Sequence, residues 1–255
     1  MDLHLKGKTA VVTGGSKGIG AGICKVLASE GVNIIFTYGH NDEKAQELCE
    51  TLIKEYGVGV LPLKMDVTLY ESAEKTYELG IEKFGRIDFL INNAGGGKGS
   101  VSTPFAGMDV NVWKGVQDLT LNSAFYMSSV FAGKWIENGQ KACIVNVLSK
   151  SGFYSKTRGN SAYASAKAGL NGLTRAMANE LMPHGIRVNG VIPGYVETEK
   201  LYQPGSSSYE HVINNLITGR CAKPEDIANV VCFLCSDRSE QIVGAAIDVT
   251  GGCLL

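Results

Sequence analysis

Two hydrophobic periods alternate along the chain. Short apolar runs occupy residues 9–12, 33–37, 58–65, 87–91, 141–148, 186–192 and 245–249. Runs this short and this continuously apolar fit strands covered on both faces. Between them, apolar residues recur every three or four positions over 19–30, 41–56, 68–84, 110–138, 161–182 and 225–236. That spacing predicts amphipathic helices. Asn41 or Asp42 is a suitable N-cap for the second helix, and the 110–138 helix is long enough to be interrupted. About seven strands separated by helical crossovers predict a single-domain, doubly wound, Rossmann-like α/β fold spanning 1–255, with a parallel sheet and helices on both faces.

Composition narrows the class. Lys and Arg total 24 and Asp and Glu 25, a net charge of −1, with 44% hydrophobic residues. Disorder and dedicated nucleic-acid binding are both disfavoured by that balance. No apolar run of about 18 residues predicts a membrane span, and no apolar signal core follows Met1, so a cytoplasmic protein is expected. The seven cysteines are odd in number and sit mostly in apolar runs. Cys232 and Cys235 form a C-x-x-C without a second pair or a near histidine, which predicts reduced core thiols and no metal site.

Glycine is in excess, 32 residues against about 18 at the usual ~7%. Thr13-Gly14-Gly15-Ser16-Lys17-Gly18-Ile19-Gly20 ends the first strand and opens the first helix. Glycines there permit a tight turn, and the helix N-terminus offers free N–H groups to a pyrophosphate. The spacing is G-x-x-x-G-x-G, and no Gly-Lys-Ser/Thr follows, which excludes a Walker loop. Two irregular stretches, near 95–109 and 195–218, follow strands and are expected to line the substrate side of the crevice.

Further motifs follow along the chain: Asp66-Val67, Asn92 to Gly95, Ser149, Tyr163-Ala-Ser-Ala-Lys167, Pro193-Gly194 with Thr198, and Arg220 with Pro224 to Ala228. Together with Thr13 to Gly20 they give the chain a resemblance to the classical short-chain dehydrogenase/reductases over essentially its whole length. The resemblance implies a nicotinamide dinucleotide held by Gly14, Ser16, Lys17, Gly18, Ile19 and Gly20. Asp66 and Val67 would meet the adenine, though a helix cap is the alternative for Asp66. Asn93, Ala94 and Gly95 would support the adenosine ribose and the central sheet. Pro193, Gly194, Val196 and Thr198 would wrap the nicotinamide. Homotetramers are common in the family, so a homo-oligomer is expected.

The second strand argues for the phosphorylated cofactor. NAD sites usually place a carboxylate there for the ribose 2′-hydroxyl. The family position is Tyr38, and no carboxylate lies between Gly31 and Asn41. Lys17 supplies a partner for a 2′-phosphate. NADP(H) is therefore expected over NAD(H).

Tyr163 and Lys167 are four apart in a helix and share a face. A free phenol has a pKa of about 10. A positive charge at about 4 Å is worth roughly 4 kcal/mol at an effective dielectric constant of about 20, close to three pKa units. By the resemblance, Tyr163 is the general acid/base, Lys167 binds the nicotinamide ribose and lowers the phenol pKa, and Ser149 hydrogen-bonds the substrate oxygen. Ser151 is the competing serine; Gly152, three residues after Ser149, selects Ser149. The family's catalytic Asn falls on Thr120, with Asn122 two positions on, which leaves the proton relay open.

The expected activity is interconversion of a ketone and a secondary alcohol. A 3-oxoacyl thioester is one substrate class, with Lys98, Lys150, Lys156 and Arg158 forming a basic rim for an acidic carrier. A hydroxysteroid-like alicyclic alcohol is another, with Phe153, Tyr154, Tyr195, Tyr202 and Tyr209 forming an apolar pocket. A catalytically silent NADP(H)-binding protein is the alternative, but it would be expected to lack the serine, tyrosine or lysine.

Overall fold

The computed structural model describes residues 2–96, 103–155, 157–199, 202–214 and 216–253. Seven parallel strands form one sheet in the order β3-β2-β1-β4-β5-β6-β7. They are β1 (Thr9–Val12), β2 (Asn33–Tyr38), β3 (Val60–Lys64), β4 (Phe89–Asn92), β5 (Ala142–Val147), β6 (Ile186–Pro193) and β7 (Ala246–Val249). The helices are α1 (Gly18–Ser29), α2 (Asp42–Tyr56), α3 (Tyr70–Phe84), α4 (Val110–Gln117), α5 (Ser123–Glu137), α6 (Ser161–Leu181), α7 (Ser207–Ile213) and α8 (Pro224–Cys235).

Alternate strand residues feed two cores, because successive side chains point to opposite faces. Ala10, Val12, Ile34 and Phe36 pack with Leu27 of α1, Leu52 of α2 and Val231 of α8. Val11, Ile35 and Leu90 pack with Tyr77 of α3, Trp135 of α5 and Met177 of α6. Central strands β1, β4 and β6 are buried throughout, which explains their unbroken apolar runs. The edges differ: β3 and β7 are mostly half-buried. Pro62 sits in β3, where its missing N–H leaves no gap in an interior ladder.

Two features depart from the simple periodic reading. The 110–138 helix runs as α4, a π-turn over Asp118–Asn122, and α5. The 195–218 stretch contains α7, capped by the Ser206 hydroxyl accepting from the Tyr209 N–H at 3.2 Å. Cys232 and Cys235 are buried in α8, and among the described residues no cluster of metal-ligating side chains exists.

A polar chain crosses the second core. Asn92 donates to Ser128 and to Asn146, each at 2.9 Å, and Asn146 donates to Thr174 of α6 at 2.8 Å. These bonds tie β4, β5, α5 and α6 together just below the carboxyl ends of the strands. Sheet order reverses between β1 and β4, so the ligand crevice of this fold class opens there.

Candidate active site

The glycine turn closes on itself. Gly14 and Gly18 adopt φ of +63° and +53°, the left-handed region that glycine enters without strain. A Cβ at Gly20 would lie 2.3 Å from the Gly14 carbonyl oxygen, so only glycine lets α1 start this close to β1. Lys17 is the N-cap of α1, makes no side-chain cap bond, and no acid occupies the first turn. The first-turn N–H groups are thus uncapped by side chains and suited to an anion. Ser16 is buried, Ile19 half-buried and Lys17 exposed. The crevice residues therefore fit a dinucleotide pyrophosphate.

Asn93 joins this turn to the end of β4. Its side chain donates to the Thr13 and Gly14 carbonyls at 2.9 and 3.1 Å, and the Asn93 and Ala94 N–H groups both donate to the Thr13 hydroxyl at 3.0 Å. Asn93 spends its amide on the protein itself, and it braces the crevice.

At the end of β2, the Tyr38 hydroxyl faces the Asp42 carboxylate, which accepts from Lys64 at 2.7 Å. The nearest acid is therefore already engaged by a cation. Asp66 is exposed and accepts from the Thr68 N–H at 3.0 Å and its hydroxyl at 2.7 Å, so it organises the turn into α3 through one oxygen. Val67 beside it is buried.

The segment after β6 returns over the glycine turn. A Cβ at Gly194 would lie 2.8 Å from Thr250, Val196 bridges Ala222, and Thr198 comes within 3.5 Å of a Cβ built on Gly18. Arg220 and Asp226 anchor this return through two bonds of 2.6 and 3.1 Å. Pro193, the last residue of β6, is buried.

The three side chains expected to be catalytic meet between the end of β5 and α6. Ser149 leaves β5, and its hydroxyl caps a short 3-10 turn over Lys150–Gly152. A Cβ at Gly152 would lie 2.7 Å from the Ala168 nitrogen, so this glycine lets the turn sit directly on α6. The contact brings the Ser149 hydroxyl up to the Tyr163 phenol. Lys167 is one turn further, 2% exposed, and its ammonium donates to the Val147 carbonyl at 2.5 Å. That ammonium lies 5.8 Å from the Tyr163 ring centroid.

Burial dominates the electrostatics. It raises the Tyr163 phenol above its ordinary value, and the Ser149 hydroxyl opposes this. Burial pushes the Lys167 ammonium down to about 8. The expected lowering of the phenol by Lys167 is not what governs this arrangement, in which the ammonium faces the Val147 carbonyl.

The π-turn separates the two candidates for the family's Asn. Thr120 is fully buried, its hydroxyl accepts from the Gly96 N–H at 3.1 Å, and its methyl faces Gly95. Asn122 instead donates to Asp118 at 2.7 Å. Gly95 also lies against Lys167, whose ammonium would be 3.3 Å from an added Cβ.

A family model described as enoyl-(acyl carrier protein) reductase matches residues 14–253. The 3-oxoacyl-(acyl-carrier-protein) reductase FabG of Aquifex aeolicus is 34% identical over 252 residues, 99% of each chain. The chain belongs to the short-chain dehydrogenase/reductase family. A second relative, the 2-dehydro-3-deoxy-D-gluconate 5-dehydrogenase of Escherichia coli, is 33% identical, covering 98% of this chain and 96% of that one. Among solved structures, a dehydrogenase/reductase from Sinorhizobium meliloti superposes with a TM-score of 0.91 at 30% identity, over 100% of this chain and 98% of the other.

The side of this short-chain dehydrogenase/reductase expected to meet substrate is less uniform than the sequence reading. Tyr195, Tyr202 and Tyr209 cluster, while Phe153 and Tyr154 are exposed. Arg158 is exposed, Lys98 and Lys156 lie outside the described residues, and Lys150 turns onto the Tyr195 ring. That pairing was not legible in sequence, because 45 residues separate the two. Among the described residues no helix is long and apolar enough to cross a membrane.

Proposed function

We propose that the protein is an NADP(H)-dependent ketoreductase in which Ser149, Tyr163 and Lys167 carry the proton chemistry. The observation that carries this reading is the meeting of Ser149 and Tyr163 beside buried Lys167, at the same sheet edge as the glycine turn. The bound nicotinamide supplies or accepts the hydride. Ser149 orients the substrate oxygen and hydrogen-bonds it as charge develops. Tyr163 donates its phenolic proton to that oxygen in reduction and withdraws it in oxidation. Lys167, when protonated, favours the phenolate left behind. Thr120 positions the Gly95–Gly96 backbone against which Lys167 packs.

NADP(H) is favoured over NAD(H) by exposed Lys17 and by Asp42 being neutralised through Lys64. The relatives' names support carbonyl substrates of two kinds, an acyl thioester and a sugar-derived oxo acid. A cytoplasmic homotetramer is the assembly and location we favour, from family membership.

The test is a panel of ketones and alcohols with NADPH/NADP and NADH/NAD, followed at 340 nm, with Tyr163→Phe alongside. Turnover is expected to fall about 10³-fold in the variant, within the range of general acid–base contributions. NADPH binding by fluorescence is expected to persist. Near wild-type turnover in Tyr163→Phe sinks the mechanism.

A further inference from the structure

Lys150 directly follows Ser149, and Tyr195 directly follows Gly194, at the carboxyl ends of adjacent strands β5 and β6. The Lys150 ammonium lies 3.3 Å from the Tyr195 ring centroid. Tyr202 braces that ring edge-on, with centroids 5.0 Å apart. Lys150 is half-buried, and among the described residues no carboxylate lies within ion-pair distance of it. Lysines usually keep their ammonium in water or pair it. Here the ring face holds one side of the cation, and its remaining N–H groups stay available to an anion.

Position makes this cation specific. Ser149, whose hydroxyl faces Tyr163, is the residue directly before Lys150, so the polarising hydroxyl and the cation leave the same strand end. Consecutive Cα atoms are about 3.8 Å apart. The two side chains thus start from adjacent points, and a carboxylate a few bonds from a carbonyl held at Ser149 is within the span of a lysine stem.

We propose that Lys150, braced on Tyr195, is a specificity-determining residue that binds a carboxylate carried by the substrate close to its reacting carbonyl. The preferred substrates are then small oxo acids. The proposal rests on the ketoreductase reading and names the substrate class of that same site. A carrier-bound thioester presents no carboxylate at that distance.

The test compares matched acids and esters: levulinate and 5-oxohexanoate against their methyl esters, with NADPH and the full-length protein. For the wild type, kcat/KM is expected to be at least tenfold higher for one of the acids than for its ester. In Lys150→Met the acid-to-ester ratio is expected to fall about tenfold, mainly through KM, and Lys150→Arg is expected to restore part of it. A merely structural lysine would lower acid and ester together and leave the ratio intact, which overturns the proposal. So does a wild-type preference for the esters. Fluorescence of the Tyr163→Phe complex with NADPH, in which turnover is slowed, reads binding apart from reaction. Either acid should perturb it saturably and 2-pentanone should not; an equal response, or none, overturns the proposal. Ester turnover without acid preference removes the proposal alone, whereas no NADPH binding removes the ketoreductase reading and the proposal with it.

Discussion

The two sides of the carboxyl edge are held by different means. Around the glycine turn, backbone meets backbone: Gly20 packs on the Gly14 carbonyl, and Asn93 and Thr13 stitch two loops together with four short bonds. Around the substrate side, rings and long side chains do the packing: Tyr195 on Tyr202, Lys150 on Tyr195, with Phe105 and Tyr154 exposed. Backbone contacts tolerate almost no change of residue, because an added Cβ has nowhere to go. Side-chain contacts can be exchanged one at a time. A scaffold built this way keeps its cofactor chemistry while its substrate changes.

Gly20→Ala tests the rigid side. Its Cβ would sit 2.3 Å from the Gly14 oxygen, and overpacking of this kind costs about 3 kcal/mol. Thermal unfolding should move down by several degrees and NADPH titration should show weak or no binding. Unchanged affinity would mean that the turn yields more readily than its contacts indicate.

Lys167→Met separates stability from chemistry. The ammonium is pushed from 10.5 to about 8 by burial, so keeping it protonated strains the fold below about pH 8. That strain is relieved as the pH rises from about 8 towards 10.5, where the unfolded chain still holds the proton and the folded one does not. The variant should be more stable than wild type by about 2 kcal/mol at pH 7, with the advantage shrinking across that window, and should lose turnover. Denaturant unfolding at pH 7 and pH 10 checks both signs. Equal stability at pH 7 would show that the Val147 bond fully offsets the burial.

Phe105→Ser probes the permissive side. The ring is 77% exposed, and such substitutions stay within about 0.5 kcal/mol. The melting temperature should move by no more than about 2 °C. A larger drop would place this aromatic in a contact between subunits and weaken the contrast drawn above.

Much of this molecule is legible in its residue order. Strands β1, β4 and β6 read clearly because both faces are buried, which leaves no polar alternation to confuse with a loop. Asn41 does cap α2, accepting from the Lys44 N–H at 3.1 Å. Helix α7 was harder to see, because it is seven residues long and starts among Pro204, Gly205 and Ser206. Ser149 is separated from Ser151 in sequence by the family spacing of three residues to Gly152, and packing then sets that glycine on α6. Thr120 and Asn122 could not be separated, because a π-turn changes the angular step of the helix and helical periodicity no longer assigns a face.

Residue order alone leads to the α/β class, the place of the glycine turn, and Tyr163 and Lys167 one helical turn apart, since each shows in short-range spacing. It also brings the net charge and the absence of a 31–41 carboxylate. Packing in three dimensions decides the rest. It buries Lys167 on the Val147 carbonyl, gives Thr120 to Gly96, and sets Lys150 on Tyr195. Each of those contacts joins residues at least 20 positions apart. Their meeting depends on strand order and on a helix irregularity, which no local pattern encodes.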